Sequence, residues 1–156
     1  MLADPGILTG GGQTLQAVLF FSLLAVVAIW DIRFRLIPDG LQIGIALLTL
    51  LDFSPGNLLG IFGAFPYLAV ALFADGEEGI GGGDVKLAGA IGLVLGLPAS
   101  LTASIVGLSG FVLFGVVCRW QRKRQGKVEK AALPVGPFLG AGAAYAYFMK
   151  MGGGIV

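Results

Sequence analysis

Six apolar runs fill most of the chain, at residues 14–30, 41–51, 58–74, 85–97, 100–118 and 132–149. The breaks between them carry turn chemistry: Pro38-Asp39-Gly40, Ser54-Pro55-Gly56-Asn57, the glycine-rich stretch 79–83, Pro98, and a basic stretch, 119–130. Of the 156 residues 56% are hydrophobic and 12% charged, with a mean hydropathy of +0.92. A soluble domain carries about a quarter charged residues, so the polar groups here cannot cover a water-facing surface. The pattern predicts an all-α, polytopic integral membrane protein of about six transmembrane helices. It is read as a single membrane domain over residues 1–156 with a basic cytoplasmic loop at 119–131.

Residues 1–12 are glycine-rich, lack the basic segment of a signal peptide, and read as a short external tail. With the N-terminus outside, nine of the ten Lys and Arg residues fall on the inner side, and only Lys150 falls outside. The positive-inside rule therefore selects that orientation, and the alternation supports six spans. Two runs, 41–51 and 85–97, are shorter than the ~20 residues that span an average bilayer. They are expected to borrow flanking polar residues, thin the bilayer or border a wet cavity. Glycines within the runs suit close helix packing, and Pro66 is expected to kink the third.

Several chemistries are excluded by what is missing. The chain has no histidine, which removes Ser-His proteases and HExxH metalloproteases. Cys118 is the single cysteine, so neither an internal disulfide nor a multi-cysteine zinc site can form within these residues. A net charge of +1 gives no reason to expect nucleic acid binding. No metal or cofactor is expected, and hydrolytic chemistry would have to use carboxylates, lysine or hydroxyls.

Most of the nine acidic residues sit in loops or tails. Asp39, after Pro38 and before an apolar run, stands where a helix N-cap belongs. Asp31 closes the first run directly after Trp30, and Asp84 opens the fourth directly after Gly81-Gly82-Gly83. In the six-span arrangement both lie at the same cytoplasmic depth. Ionisable residues beside hydrocarbon are expensive and point to function. Two at one depth could share a proton: one carboxylate activates water, while the other, protonated, polarises a carbonyl. Asp84 is also open to a plain capping role at a helix start. Asp31 is harder to explain that way, because a helix C-terminus disfavours negative charge. The glycines before Asp84 permit unusual torsions and would let an extended strand lie against the backbone.

Three patches give the sequence a family likeness: Trp30-Asp31-Ile32-Arg33-Phe34-Arg35-Leu36-Ile37-Pro38-Asp39, Gly81-Gly82-Gly83-Asp84-Val85-Lys86-Leu87, and Ala132-Leu133-Pro134-Val135-Gly136-Pro137-Phe138. In order and spacing the chain resembles the type IV prepilin peptidases, the GxGD aspartyl proteases of the cytoplasmic membrane. The resemblance implies an endopeptidase that removes the leader peptide of prepilin and pseudopilin substrates at the cytoplasmic face of a multi-pass inner-membrane protein. Asp31 and Asp84 would then be catalytic, and Gly81, Gly83, Pro38, Asp39 and Lys86 would shape the loop or bind substrate. Lys86, two residues from Asp84 on a helix, is expected to point away from it, toward headgroups or a loop acid. With one cysteine and no Cys-x-x-Cys pairs, the chain looks like the short, cleavage-only branch seen with Flp/Tad-type pili, without a methyltransferase domain. The competing readings are a non-catalytic membrane assembly subunit, a small transporter with coupling acids, and an archaeal preflagellin-type peptidase.

Overall fold

The computed structural model describes residues 5–73, 80–125 and 133–154, with side chains from residue 11 onward. Every described element is helical: α1 (Pro5–Phe34), α2 (Asp39–Leu47), α3 (Phe65–Phe73), α4 (Gly82–Leu95), α5 (Leu97–Arg124) and α6 (Gly136–Met151). Two 3₁₀ segments complete it, Leu48–Asp52 continuing α2 and Pro55–Ala64 leading into α3. Each of the six apolar runs thus becomes one helical unit. The stretches Gly11–Phe34, Pro55–Phe73 and Leu97–Arg124 are long and apolar enough to cross a membrane.

Which side chains are hidden identifies the solvent. Phe73 is 85% exposed and Leu72 72%, whereas Ser100 and Ser104 are 2% and 4% exposed. Gln16, Asp31, Gln42, Thr49, Asn57 and Asp84 are buried as well, while the outer faces of α1 and α5 carry Val18, Ile29, Ile105 and Leu113. A protein in water would reverse this distribution. In lipid, apolar side chains are at home outside, and polar groups must be satisfied among themselves. The chain is an all-α membrane protein.

The short helix α4 is the centre. Leu87, Ile91, Val94 and Leu95 on it are almost fully buried, enclosed by α2, α3, α5, α6 and the 3₁₀ segment 55–64. Its 14 residues rise roughly 21 Å, less than an average hydrocarbon core, and its neighbours rather than lipid cover it. The 3₁₀ segment buries Asn57, Gly60 and Gly63. At three residues per turn these positions form one straight stripe. A methyl on Gly60 would strike the carbonyl oxygen of Gly92, and one on Gly92 would strike that of Gly60. The two backbones therefore touch, which only glycine allows.

Several boundaries differ from expectation. The expected tail is helical from Pro5, a residue whose fixed φ suits the first turn. Pro66 marks the change from 3₁₀ to α rather than a kink within one helix, because it cannot donate to the preceding turn. The expected basic loop starts later, since α5 continues through Arg124. Arg122, Lys123 and Arg124 complement its C-terminal dipole, and the Arg124 guanidinium lies 3.9 Å from the Trp120 ring centroid. Residues 126–130 of that loop, and the acids Asp75, Glu77 and Glu78, lie outside the described residues.

Candidate active site

Asp31 occupies the last full turn of α1, where Trp30, Ile32 and Phe34 face outward and Asp31 alone turns in, 6% exposed. Helix α1 then stops through Arg35, whose N–H reaches the Asp31 carbonyl at 2.8 Å with φ at 52°. That left-handed conformation costs a non-glycine residue about 1–2 kcal/mol. The Asp31 carboxylate accepts the N–H of Gly136 at 2.8 Å. Gly136 is the first residue of α6, so a helix N-terminus faces the acid and offsets the unfavourable end of α1. A Cβ on Gly136 would lie 2.9 Å from the Asp31 Cβ and from Oδ2, so glycine is what permits the approach.

Asp84 is the third residue of α4 and is 9% exposed. Its carboxylate accepts the N–H of Gly81 at 3.0 Å, and its own N–H donates to the Gly81 carbonyl at 3.0 Å. This is half of the capping arrangement, with Gly81 as N-cap and no side chain to return the favour. The two acids therefore share one design, each carboxylate facing a helix N-terminus with one oxygen held by a glycine amide. The segments that flank them meet, since a Cβ on Gly83 would lie 3.9 Å from that of Ile37.

The remaining predicted positions fall into place differently. Gly81 has φ −75°, and positive φ among the described glycines occurs at Gly96 and Gly153, so the torsional freedom that glycine permits at 81–83 is not used. A Cβ would meet nothing closer than 3.5 Å at Gly81 and 3.8 Å at Gly83. These glycines leave open backbone beside the acid and do not serve a strained turn. Pro38, not Asp39, is the N-cap of α2. Asp39 is the first helical residue, from which its side chain caps nothing, and it pairs with Lys86 at 3.2 Å. That ion pair is solvent-exposed, with 63% and 68% of the two side chains accessible. It joins the starts of α2 and α4.

Two groups escaped the sequence reading. One is the Gly136 amide, whose motif was visible but whose partner was not. The other is Gln42, buried in α2, whose Nε2 donates to the carbonyls of Gly83 at 3.2 Å and Ile37 at 3.4 Å. A glutamine within an apolar run was the available signal. Among the described residues no three His, Cys, Asp or Glu side chains gather as metal ligands. Between α1 and α6 runs a groove of about 250 Å³ lined by Phe21, Leu24, Ala25, Ala28, Pro137, Gly140, Ala141 and Ala144. Ala28 precedes Asp31 by one helical turn, and Pro137 adjoins Gly136. The groove thus borders the elements that carry Asp31 and Gly136.

Each acid keeps one carboxylate oxygen on a glycine amide, an arrangement that suits carboxylate chemistry on water or a carbonyl. Comparison with known proteins gives this a family context. The sequence model of the type IV leader peptidase family matches residues 18–121, which include both acids. The prepilin leader peptidase/N-methyltransferase of Bacillus subtilis (strain 168) is 37% identical over 143 residues, covering 86% of this chain and 56% of that protein. Its counterpart in Pectobacterium carotovorum subsp. carotovorum is 32% identical over 146 residues, covering 86% and 51%. The one in Burkholderia pseudomallei (strain 1026b) is 30% identical over 145 residues, covering 81% and 43%. The chain spans about half the length of these curated relatives. No solved structure matches.

Proposed function

This chain belongs to the type IV leader peptidase family, and from that premise we propose that it is a membrane aspartyl endopeptidase removing the leader peptide of prepilin-like proteins. The observation that carries the proposal is the matched pair Asp31 and Asp84: both carboxylates are buried facing a helix N-terminus, and each is held through Oδ2 by a glycine amide. Two nearly buried carboxylates are costly in a protein of this composition, and catalysis gives both a use. A coupling site in a transporter would place its acids within broken helices at the midplane. Here one acid lies in the last turns of α1 and the other in the first turn of α4.

In the proposed reaction one carboxylate takes a proton from a water molecule, whose oxygen attacks the scissile carbonyl. The other carboxyl, protonated, donates to the carbonyl oxygen as negative charge develops there. Collapse of the tetrahedral adduct breaks the C–N bond, with a proton returned to the leaving amine. The glycine amides fix one oxygen of each acid, and the reaction would use the other. The open backbone at Gly81–Gly83 suits an extended segment of substrate, and the α1–α6 groove suits apolar side chains that follow the cleavage point.

We place the protein in the cytoplasmic membrane with its N-terminus outside, six spans, and both acids near the cytoplasmic face. The concentration of Lys and Arg on that side supports this orientation. The proposal covers the peptidase activity in the relatives' names. Its test is co-expression with a prepilin-like protein from the same genome, followed by mass measurement of the product. A single cut that removes the basic leader is expected, and an uncut substrate in membranes that contain the folded protein contradicts the reading.

A further inference from the structure

Gln42 is 5% exposed in a helix whose other buried side chain is Ile45. Burying an amide is costly unless its hydrogens are used, and leucine or methionine would fill the same space without that cost. Both Nε2 hydrogens have acceptors. One donates to the Gly83 carbonyl at 3.2 Å and the other, over a longer 3.4 Å, to the Ile37 carbonyl. The acceptors belong to different halves of the site. Ile37 lies in the segment that leaves α1 after Asp31, and Gly83 directly precedes Asp84. Packing repeats the connection, since a Cβ on Gly83 would lie 3.8 Å from the Gln42 Nε2 and 3.9 Å from the Ile37 Cβ.

Among the described residues, few other hydrogen bonds or ion pairs link the halves of the site, although α4 also packs against α6. Asp31 is fixed to α6 through Gly136, and Asp84 is fixed to its own loop through Gly81. The Lys86–Asp39 pair links α2 to α4 from the exposed side, where salt bridges are worth little. Among the described residues, the buried amide bridge is the hydrogen-bonded link between the start of α4 and the exit of α1. We infer that Gln42 is a positioning residue that sets the separation of the Asp31 and Asp84 carboxylates, an inference that rests on the aspartyl peptidase reading. It acts through Gly83 and does not touch the reacting atoms.

Three substitutions in the full chain, assayed with a purified prepilin substrate, test this. Gln42→Met keeps the shape and loses both donors. It should retain membrane level, thermal stability and KM, while kcat falls roughly 10- to 100-fold, as a displacement of about 1 Å would cause. Gln42→Asn keeps the amide hydrogens on a shorter arm and should recover part of that loss. Gln42→Glu sets an acceptor against two carbonyl oxygens and should be the poorest of the three. A residue that merely fills the core would show the opposite pattern, with the methionine variant at the wild-type kcat. That result, a loss confined to KM, or an asparagine variant no better than the glutamate one overturns the inference. Should the methionine variant not accumulate, the order of the asparagine and glutamate variants decides alone. Asp31→Asn and Asp84→Asn in the same assay keep the two ideas apart: if either still cleaves, the peptidase reading fails whatever Gln42 does.

Discussion

The N–H of Gly136 donates to the carboxylate of Asp31 at 2.8 Å, joining two residues 105 positions apart in the chain. This bond places the N-terminus of α6 against an acid that the end of α1 alone would disfavour. Gly136→Ala puts a Cβ 2.9 Å from the Asp31 Cβ and Oδ2, tighter than side chains tolerate, so Asp31 must move. The expected result is a 10- to 100-fold loss of cleavage with a stability cost of about 1–3 kcal/mol. Prepilin cleavage and thermal unfolding in detergent, measured on the same preparations, check both numbers.

The contact between Gly60 and Gly92 is backbone against backbone, with no flexible side chain to give way. Gly60→Ala or Gly92→Ala is expected to cost about 3 kcal/mol or more, at the upper end of overpacking effects. Neither variant should accumulate in membranes. Gly40→Ala is the control, because a Cβ there meets nothing within 4 Å and alanine favours the helix. Immunoblots of membrane fractions suffice to compare the three.

The ion pair between Lys86 and Asp39 is exposed at both ends. A double-mutant cycle with Lys86→Met and Asp39→Asn should give a coupling of about 0.2–1 kcal/mol that weakens with added salt. A coupling of several kcal/mol in chemical denaturation would mean that the pair is shielded from solvent.

Much of this was legible in the sequence for a plain physical reason. Apolar runs broken by Pro and Gly can only become helices in lipid, and charges at their ends are conspicuous. Asp31 and Asp84 stood out on that ground, and the structure buries both, Asp31 at the end of α1 against the start of α6 and Asp84 in the first turn of α4. What stayed hidden depends on distant partners. Asp39 looked like a cap because the residue after Pro38 starts a helix, but Pro38 itself takes the cap position. The carboxylate instead meets Lys86, 47 residues away. The 3₁₀ segment was readable in the three-residue spacing of Asn57, Gly60 and Gly63, a period that the usual helical reading passes over. The glycines before Asp84 permit unusual torsions, yet no positive φ occurs there, and what they provide is open space beside the backbone.

The central claim is that Asp31 and Asp84 together perform the cleavage. The direct measurement is processing of a co-expressed prepilin by the wild type, Asp31→Asn and Asp84→Asn, with membrane levels matched. Asparagine keeps the shape and can still accept the glycine amide, so both variants should insert and fold while cleavage falls below detection. Near-normal cleavage by either one would contradict the aspartyl mechanism and leave the buried pair without the role assigned to it.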